Sequence, residues 1–194
     1  MKIKHPLLLR ICLALIVLSA MAVLIFFGSV SALKTLYPQR YTEFVETYSK
    51  ENNLSDSFVY AVIKCESGFH SDAVSSVGAR GLMQIMPDTF DWIKGRLKDD
   101  TEYDDMFTAE YNVRYGCHLY GYLIEKYESE AVAVAAYHAG PGNVDKWLKN
   151  REYSEDGKNL SHIPFPTTRK YVTKVLETKK IYEKLIKKMP ISKP

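Results

Sequence analysis

From Ile11 to Leu33 no residue carries a charge, and from Ile11 to Phe27 almost every side chain is apolar. A run of that length leaves few folding options. Backbone N–H and C=O groups inside a bilayer must find partners within their own segment. An apolar run of about 20 residues is therefore a helix able to cross a hydrocarbon layer about 30 Å thick. A signal-peptide apolar region is shorter, at about 7–15 residues. Lys2, Lys4 and Arg10 precede the run. Such a basic flank stays cytoplasmic, which puts the rest of the chain outside. Two readings stay open: an uncleaved anchor, which the length favours, and a signal sequence, for which Val30-Ser31-Ala32 offers a small-residue cleavage site. A buried helix of a soluble protein fits the length and flanks poorly. The expected organisation is residues 1–33 as anchor or signal, 34–53 as a linker helix, 54–188 as the folded domain and 189–194 as a tail.

Beyond the apolar run, hydrophobic residues recur at helical rather than strand spacing, so the domain is expected to be essentially all-α. Tyr41, Phe44, Val45 and Tyr48 suggest a short amphipathic helix, with Pro38 as a candidate start. Leu54 to Glu66 is the first strong helix: Ser55 suits its N-cap, Asp56 its first turn and Gly68 its left-handed end. Phe58, Val62 and Cys65 follow one face, with Val59 and Ile63 beside it. Further helices are expected at residues 87–97, 109–127 and 130–138, at a short segment capped by Asn143 after the Gly140-Pro141-Gly142 turn, and from Thr167 or Thr168 to Lys188.

Glu66 thus falls in the last turn of a helix, beside the negative end of its dipole and among apolar neighbours. Both factors disfavour ionisation and raise a carboxyl pKa, which suits a general acid. The competing reading is an exposed glutamate at a helix end, the commoner situation for Glu. Gln84 follows in a Gly-punctuated turn, Gly78 to Pro87.

Composition narrows the partners. A net charge of +3 over 194 residues is too small to argue for nucleic acid. The basic residues crowd the C-terminal end, from Arg169 to Lys188, either as a solvated helix face or as a contact for an anionic wall polymer or membrane surface. The three cysteines, Cys12, Cys65 and Cys117, lack metal-site spacing, and neither a metal nor a cofactor is expected. Cys65 and Cys117 could pair outside a membrane, and sequence leaves that open.

Four segments then stand in order: Glu66-Ser67, Gly81-Leu82-Met83-Gln84-Ile85-Met86-Pro87, Ala136-Tyr137-His138-Ala139-Gly140, and Ile163-Pro164 through Arg169-Lys170-Tyr171-Val172. The series resembles the SLT-type (family 1) lytic transglycosylases, lysozyme-like enzymes that cleave peptidoglycan. The resemblance spans about Leu54 to Tyr182. It implies a lysozyme-like fold behind the N-terminal helix, with the peptidoglycan glycan strand as substrate and Glu66 as the catalytic residue. The family acid protonates the oxygen between N-acetylmuramic acid and N-acetylglucosamine. As a carboxylate it then takes the proton of the muramic C6 hydroxyl, which closes a 1,6-anhydro ring. The resemblance further implies substrate-binding roles for Ser75, Gln84, Met86 and Tyr137, with the Tyr137 hydroxyl either holding Glu66 or steadying positive charge on the sugar. It departs at His138, where the family has Asn, and at Thr167, where it often has Glu. Imidazole titrates near neutrality, so His138 could add a pH dependence to substrate binding. A hydrolytic muramidase and a non-catalytic wall-binding scaffold are the alternatives, since one fold hosts several functions. The expected location is the bacterial cell membrane with the domain outside, or secretion after cleavage; protein partners are not indicated.

Overall fold

The protein was analysed as a computed structural model that describes residues 6–188. Lys2, Lys4 and the tail at residues 189–194 lie outside the described residues. The chain divides into two compact units, one ending at Gln39 and the other beginning at Arg40.

The first unit is a single helix, α1 (Pro6–Leu36). Its segment Leu9–Leu36, 28 residues, is long and apolar enough to cross a membrane by length and composition. Its large side chains, Leu15 and Phe27 among them, are exposed along its length. The few polar side chains fold back on the helix. Ser19 donates to the Ile16 carbonyl and Ser29 to that of Phe26, both at 2.8 Å, and Thr35 to that of Ser31 at 3.1 Å. Hydroxyls satisfied in this way can sit in hydrocarbon without an unpaired donor.

The second unit holds α2 (Thr42–Glu51), α3 (Asp56–Glu66), α4 (Pro87–Leu97), a 3-10 turn (Tyr103–Phe107), α5 (Ala109–Tyr127), α6 (Glu130–Ala139), α7 (Pro141–Leu148) and α8 (Pro166–Lys188). Among the described residues there is no strand; the loop after α3 carries only the isolated bridges Val74–Arg80 and Arg80–Ile85. The expected all-α class is observed.

α3 is the axis of this unit. Ser55 caps it by accepting from the Phe58 N–H at 3.3 Å. Sequence periodicity suggests one apolar face, but every residue from Ser57 to Ile63 is buried. A helix covered all round belongs inside a domain. Its coat is α8 along its length, with α2 also against it. Tyr60 stacks on Tyr182 of α8 (centroids 5.3 Å apart), and Phe58 meets Tyr120 of α5 edge-on at 4.9 Å. α6 fills the space between α5 and α8. Its run Val132 to Ala136 is wholly buried, because small side chains let three helices approach closely.

Several boundaries differ from the expected ones. Helix α2 begins at Thr42, after Tyr41 in a left-handed conformation (φ 59°), and not at Pro38. It packs on α3 and α5. Asn143 does not cap α7. The helix starts at Pro141, which suits the first helical position because its missing N–H would be unpaired there anyway. The Asn143 amide instead donates to the Ala139 carbonyl at 2.7 Å, stitching α7 to the end of α6. Cys65 and Cys117 are free thiols, so the disulfide that the sequence left open is not formed.

Candidate active site

Glu66 ends α3, and the chain turns away through Ser67, Gly68 (φ 60°) and Phe69 (φ 73°). Ser67 braces this turn: its hydroxyl donates to the Ile63 carbonyl at 3.3 Å and accepts from the Phe69 N–H at 3.1 Å. The carboxyl is left half-buried between α3 and α8. Burial pushes its pKa up from 4.5 to about 7, against a lowering by the Tyr171 hydrogen bond and by the Lys174 charge. Desolvation is thus the dominant influence, and the carboxyl changes charge near neutrality.

Tyr171 is the partner of Glu66: its hydroxyl donates to Oε1. The sequence places Tyr171 in the fourth motif segment and gives it no role at the site. The signal was present, because an apolar stripe that includes a tyrosine has to satisfy its hydroxyl somewhere. What sequence could not show is that α8 lies along α3 in the register that brings residues 105 apart into contact. Lys174, one turn on, donates to the Cys65 carbonyl at 3.4 Å and so meets an orphan carbonyl in the last turn of α3.

Behind Tyr171 stand two more tyrosines. The Tyr120 hydroxyl is 3.3 Å from that of Tyr171, and the Tyr120 ring stacks flat on Tyr137 (4.2 Å, 7°). Burial holds all three phenols well above their ordinary pKa. They act as neutral hydrogen-bonding groups from α5, α6 and α8 around one carboxyl. The Tyr137 hydroxyl, one of whose two expected roles was to hold Glu66, donates instead to the Met83 carbonyl. It ties α6 to the loop before α4.

That loop is held by a residue the sequence did not single out. Asn112, fully buried in α5, accepts from the Met83 N–H at 2.7 Å and donates to the carbonyls of Met106 and Arg80 at 2.8 and 2.9 Å. An amide among core positions of a helix was the available clue. Gly81 passes so close to it that a Cβ there would lie 2.1 Å from the Met106 carbonyl oxygen and 2.2 Å from the Asn112 amide nitrogen. Its φ of 75° also favours glycine. Gln84 adopts φ 50°, and its side-chain amide donates to the Gly81 carbonyl at 2.9 Å and to the Ala73 carbonyl at 3.2 Å. Those bonds offset the backbone strain, about 1 kcal/mol or more for a non-glycine residue.

Of the remaining expected substrate contacts, Met86 is 37% exposed at the start of α4 and does not join the core. Ser75 closes a turn of its own, accepting from the Ala79 N–H at 2.9 Å. His138 sets its ring 4.6 Å from that of Tyr171 and pairs through Nδ1 with Thr168 Oγ1 at 3.0 Å. Partial desolvation lowers its pKa, so it is neutral at neutral pH. Thr167, the other departure from the family pattern, is exposed. Among the described residues no three His, Cys, Asp or Glu side chains are grouped so that they could hold a metal ion.

A family model described as the transglycosylase SLT domain matches residues 43–160, more than half of the chain. The chain belongs to the SLT transglycosylase family. Relatives of this SLT domain include a soluble lytic murein transglycosylase from Salmonella typhimurium, 32% identical over 148 residues, covering 74% of this chain and 23% of the relative. A membrane-bound lytic murein transglycosylase D from Escherichia coli is 28% identical over 147 residues, covering 73% of this chain and 31% of that one. Among solved structures, an inactive mutant of the lytic transglycosylase Slt from Pseudomonas aeruginosa matches with a TM-score of 0.69 at 30% identity, covering 78% of this chain and 25% of that one. The SLT domain thus corresponds to about a quarter to a third of the length of these relatives.

Proposed function

We propose that this SLT domain cleaves the β-1,4 bond between N-acetylmuramic acid and N-acetylglucosamine in peptidoglycan without water, with Glu66 as the single acid and base. The observation that carries this reading is the Glu66 carboxyl, desolvated to a pKa of about 7 and fixed by one phenol. Near neutral pH such a group can hold a proton to give, and its conjugate base can take one back. In the first step Glu66 gives its proton to the glycosidic oxygen, and the C1–O bond breaks. In the second, the carboxylate takes the C6 hydroxyl proton as that oxygen bonds to C1. The 1,6-anhydro ring forms, and Glu66 ends protonated, ready for the next cycle. Glycosidases that work with water or a covalent intermediate use two carboxyls. Asp72, Asp88 and Asp91, near Glu66 in sequence, are exposed.

Tyr171 steadies the carboxylate formed midway by hydrogen bonding, which favours the charged state. Gln84, its amide nitrogen committed to backbone carbonyls, offers substrate its amide oxygen. Met86 and Tyr137 supply apolar contact for sugar faces, while Ser75 and His138 provide neutral polar groups at the edges. α1 is the membrane anchor, holding the domain against the wall on the outer side. The relatives' names support the lytic reading, since they describe lytic murein transglycosylases. The test is to digest purified peptidoglycan and weigh the products by mass spectrometry. Anhydro-muropeptides are expected. Reducing-end products alone would establish hydrolysis instead, and binding without cleavage a scaffold.

A further inference from the structure

Tyr120 lies in α5 with its side chain fully buried. Its ring is held from two helices: Phe58 of α3 meets it edge-on at 4.9 Å, and Tyr137 of α6 stacks on it at 4.2 Å. Packing of that kind needs only a ring, which a phenylalanine would supply. A hydroxyl adds a desolvation cost unless it is paired. Two other phenols of the domain are paired with the backbone. The Tyr137 hydroxyl donates to the Met83 carbonyl, and that of Tyr103 to the carbonyls of Gly78 and Ile85. Such bonds tie segments of the fold together. The Tyr120 hydroxyl lies instead 3.3 Å from that of Tyr171, the group that holds the acid.

The direction of this contact follows from the protons available. A phenol has one to give. Tyr171 gives its proton to Glu66 Oε1, so its oxygen can only accept and Tyr120 is the donor. Side chains from three helices thus form one chain, from Tyr120 to Tyr171 to Glu66. A donor that itself accepts a hydrogen bond is polarised and donates more strongly. A charge at the end of the chain strengthens it again, so the chain favours the carboxylate over the neutral acid. We propose that Tyr120 is a positioning residue for the reaction, acting through Tyr171 to orient the Glu66 carboxyl and to stabilise its ionised form. Being fully buried, it does this without touching substrate. The inference rests on the lytic reading above. The other titratable groups around this chain are Lys174 of α8, whose charge also favours the carboxylate, Cys65 of α3, and Tyr137 and His138 of α6. Burial keeps Cys65 and Tyr137 neutral. Tyr137 spends its proton on Met83, and His138 pairs through Nδ1 with Thr168, which leaves the Tyr171 oxygen to Tyr120.

The test reads Glu66 itself as well as turnover. In the full chain in detergent with isotope-labelled glutamate, the Glu66 carboxyl resonance is followed against pH and assigned by its loss in Glu66→Gln. Tyr120→Phe should weaken the acidity of Glu66 roughly twofold, and should add nothing once Tyr171→Phe is present. Tyr120→3-fluorotyrosine, a stronger donor on the same ring, should strengthen it. Tyr115→Phe removes another buried α5 phenol, one that bonds Asp99, and should leave Glu66 unmoved. The pH–rate profile on purified peptidoglycan should shift with the same signs. Melting curves check the fold, and the fluorinated variant decides the matter if Tyr120→Phe does not fold. A Glu66 titration that neither Tyr120 variant moves, or one that Tyr120→Phe moves equally with and without the Tyr171 hydroxyl, overturns the role of Tyr120 and leaves the lytic reading standing. Shifts as expected in a wild-type chain that cuts no peptidoglycan overturn the lytic reading, and with it the reaction that the chain of hydroxyls would serve.

Discussion

Two carboxyl groups of this domain are each met by a tyrosine hydroxyl and yet shift in opposite directions. Glu66, in the seam between α3 and α8, has Tyr171 as its hydrogen-bonding partner, and burial carries its pKa up to about 7. Asp99, just after α4, is also desolvated. It accepts from the Tyr115 hydroxyl at 2.7 Å and the Thr101 N–H at 3.3 Å, and pairs with Arg114 at 2.9 Å. Those donors outweigh burial, and its pKa falls. The difference lies in how many donors each desolvated carboxyl is given. A structural carboxylate has its charge compensated; the candidate catalytic one is left undercompensated and so exchanges its proton near neutral pH.

The sharpest way to break this contrast is Glu66→Gln. Lytic activity on purified peptidoglycan should fall at least about a thousandfold, because the amide can neither give nor take the proton. Stability should move the other way. The folded pKa of Glu66 lies above its unfolded value, so the folded state binds the proton more tightly. The contribution of Glu66 to stability is then fully present below about pH 4.5 and is lost as pH rises to about 7. The glutamine variant escapes that decline. It should be more stable by about 1–3 kcal/mol at pH 8 and equal to wild type near pH 4, as read by urea denaturation.

Gly81→Ala tests the scaffold beside the acid. A Cβ 2.1 Å from a backbone oxygen, at a positive φ, should cost about 3 kcal/mol or prevent folding, seen as a lowered denaturation midpoint. Tyr171→Phe should lower lytic activity roughly 10–100-fold. It removes the one hydrogen bond favouring the Glu66 carboxylate, so the ionisation of Glu66 in the pH–rate profile should move to higher pH. An unmoved profile would show that Tyr171 only packs. Asp99→Asn should have the smallest effect, about 1 kcal/mol. The depressed pKa of Asp99 contributes stability that is present above about pH 4 and lost as pH falls below it. The variant should therefore be weaker than wild type at pH 7 and match it near pH 2.

Local chemistry made much of this legible in advance. The bounds of α4 and α5, the Ser55 cap and the left-handed Gly68 follow from short-range rules that neighbouring residues obey or violate by themselves. Glu66 was legible as a candidate for the same reason: its place in a helix's last turn is a local fact. Of the two roles open to the Tyr137 hydroxyl, holding Glu66 falls to Tyr171 instead, because which hydroxyl reaches which acceptor depends on where α6 and α8 dock. The Tyr137 hydroxyl goes to the Met83 carbonyl and that of Tyr171 to Glu66. The role of Asn112 was not legible because two of its three partners, Arg80 and Met83, are distant in sequence and meet it only once α5 crosses the loop.

The sequence by itself determined the apolar span, the succession of helices and the residue that carries the proposed chemistry, since periodicity, caps and an uncharged run act over a few residues. Only the tertiary structure decided how strongly Glu66 is desolvated, which tyrosine holds it, and that Tyr120 stands behind that tyrosine. Desolvation and hydrogen-bond direction are properties of a packed environment, and that environment is assembled from α3, α5, α6 and α8 only when the chain has folded.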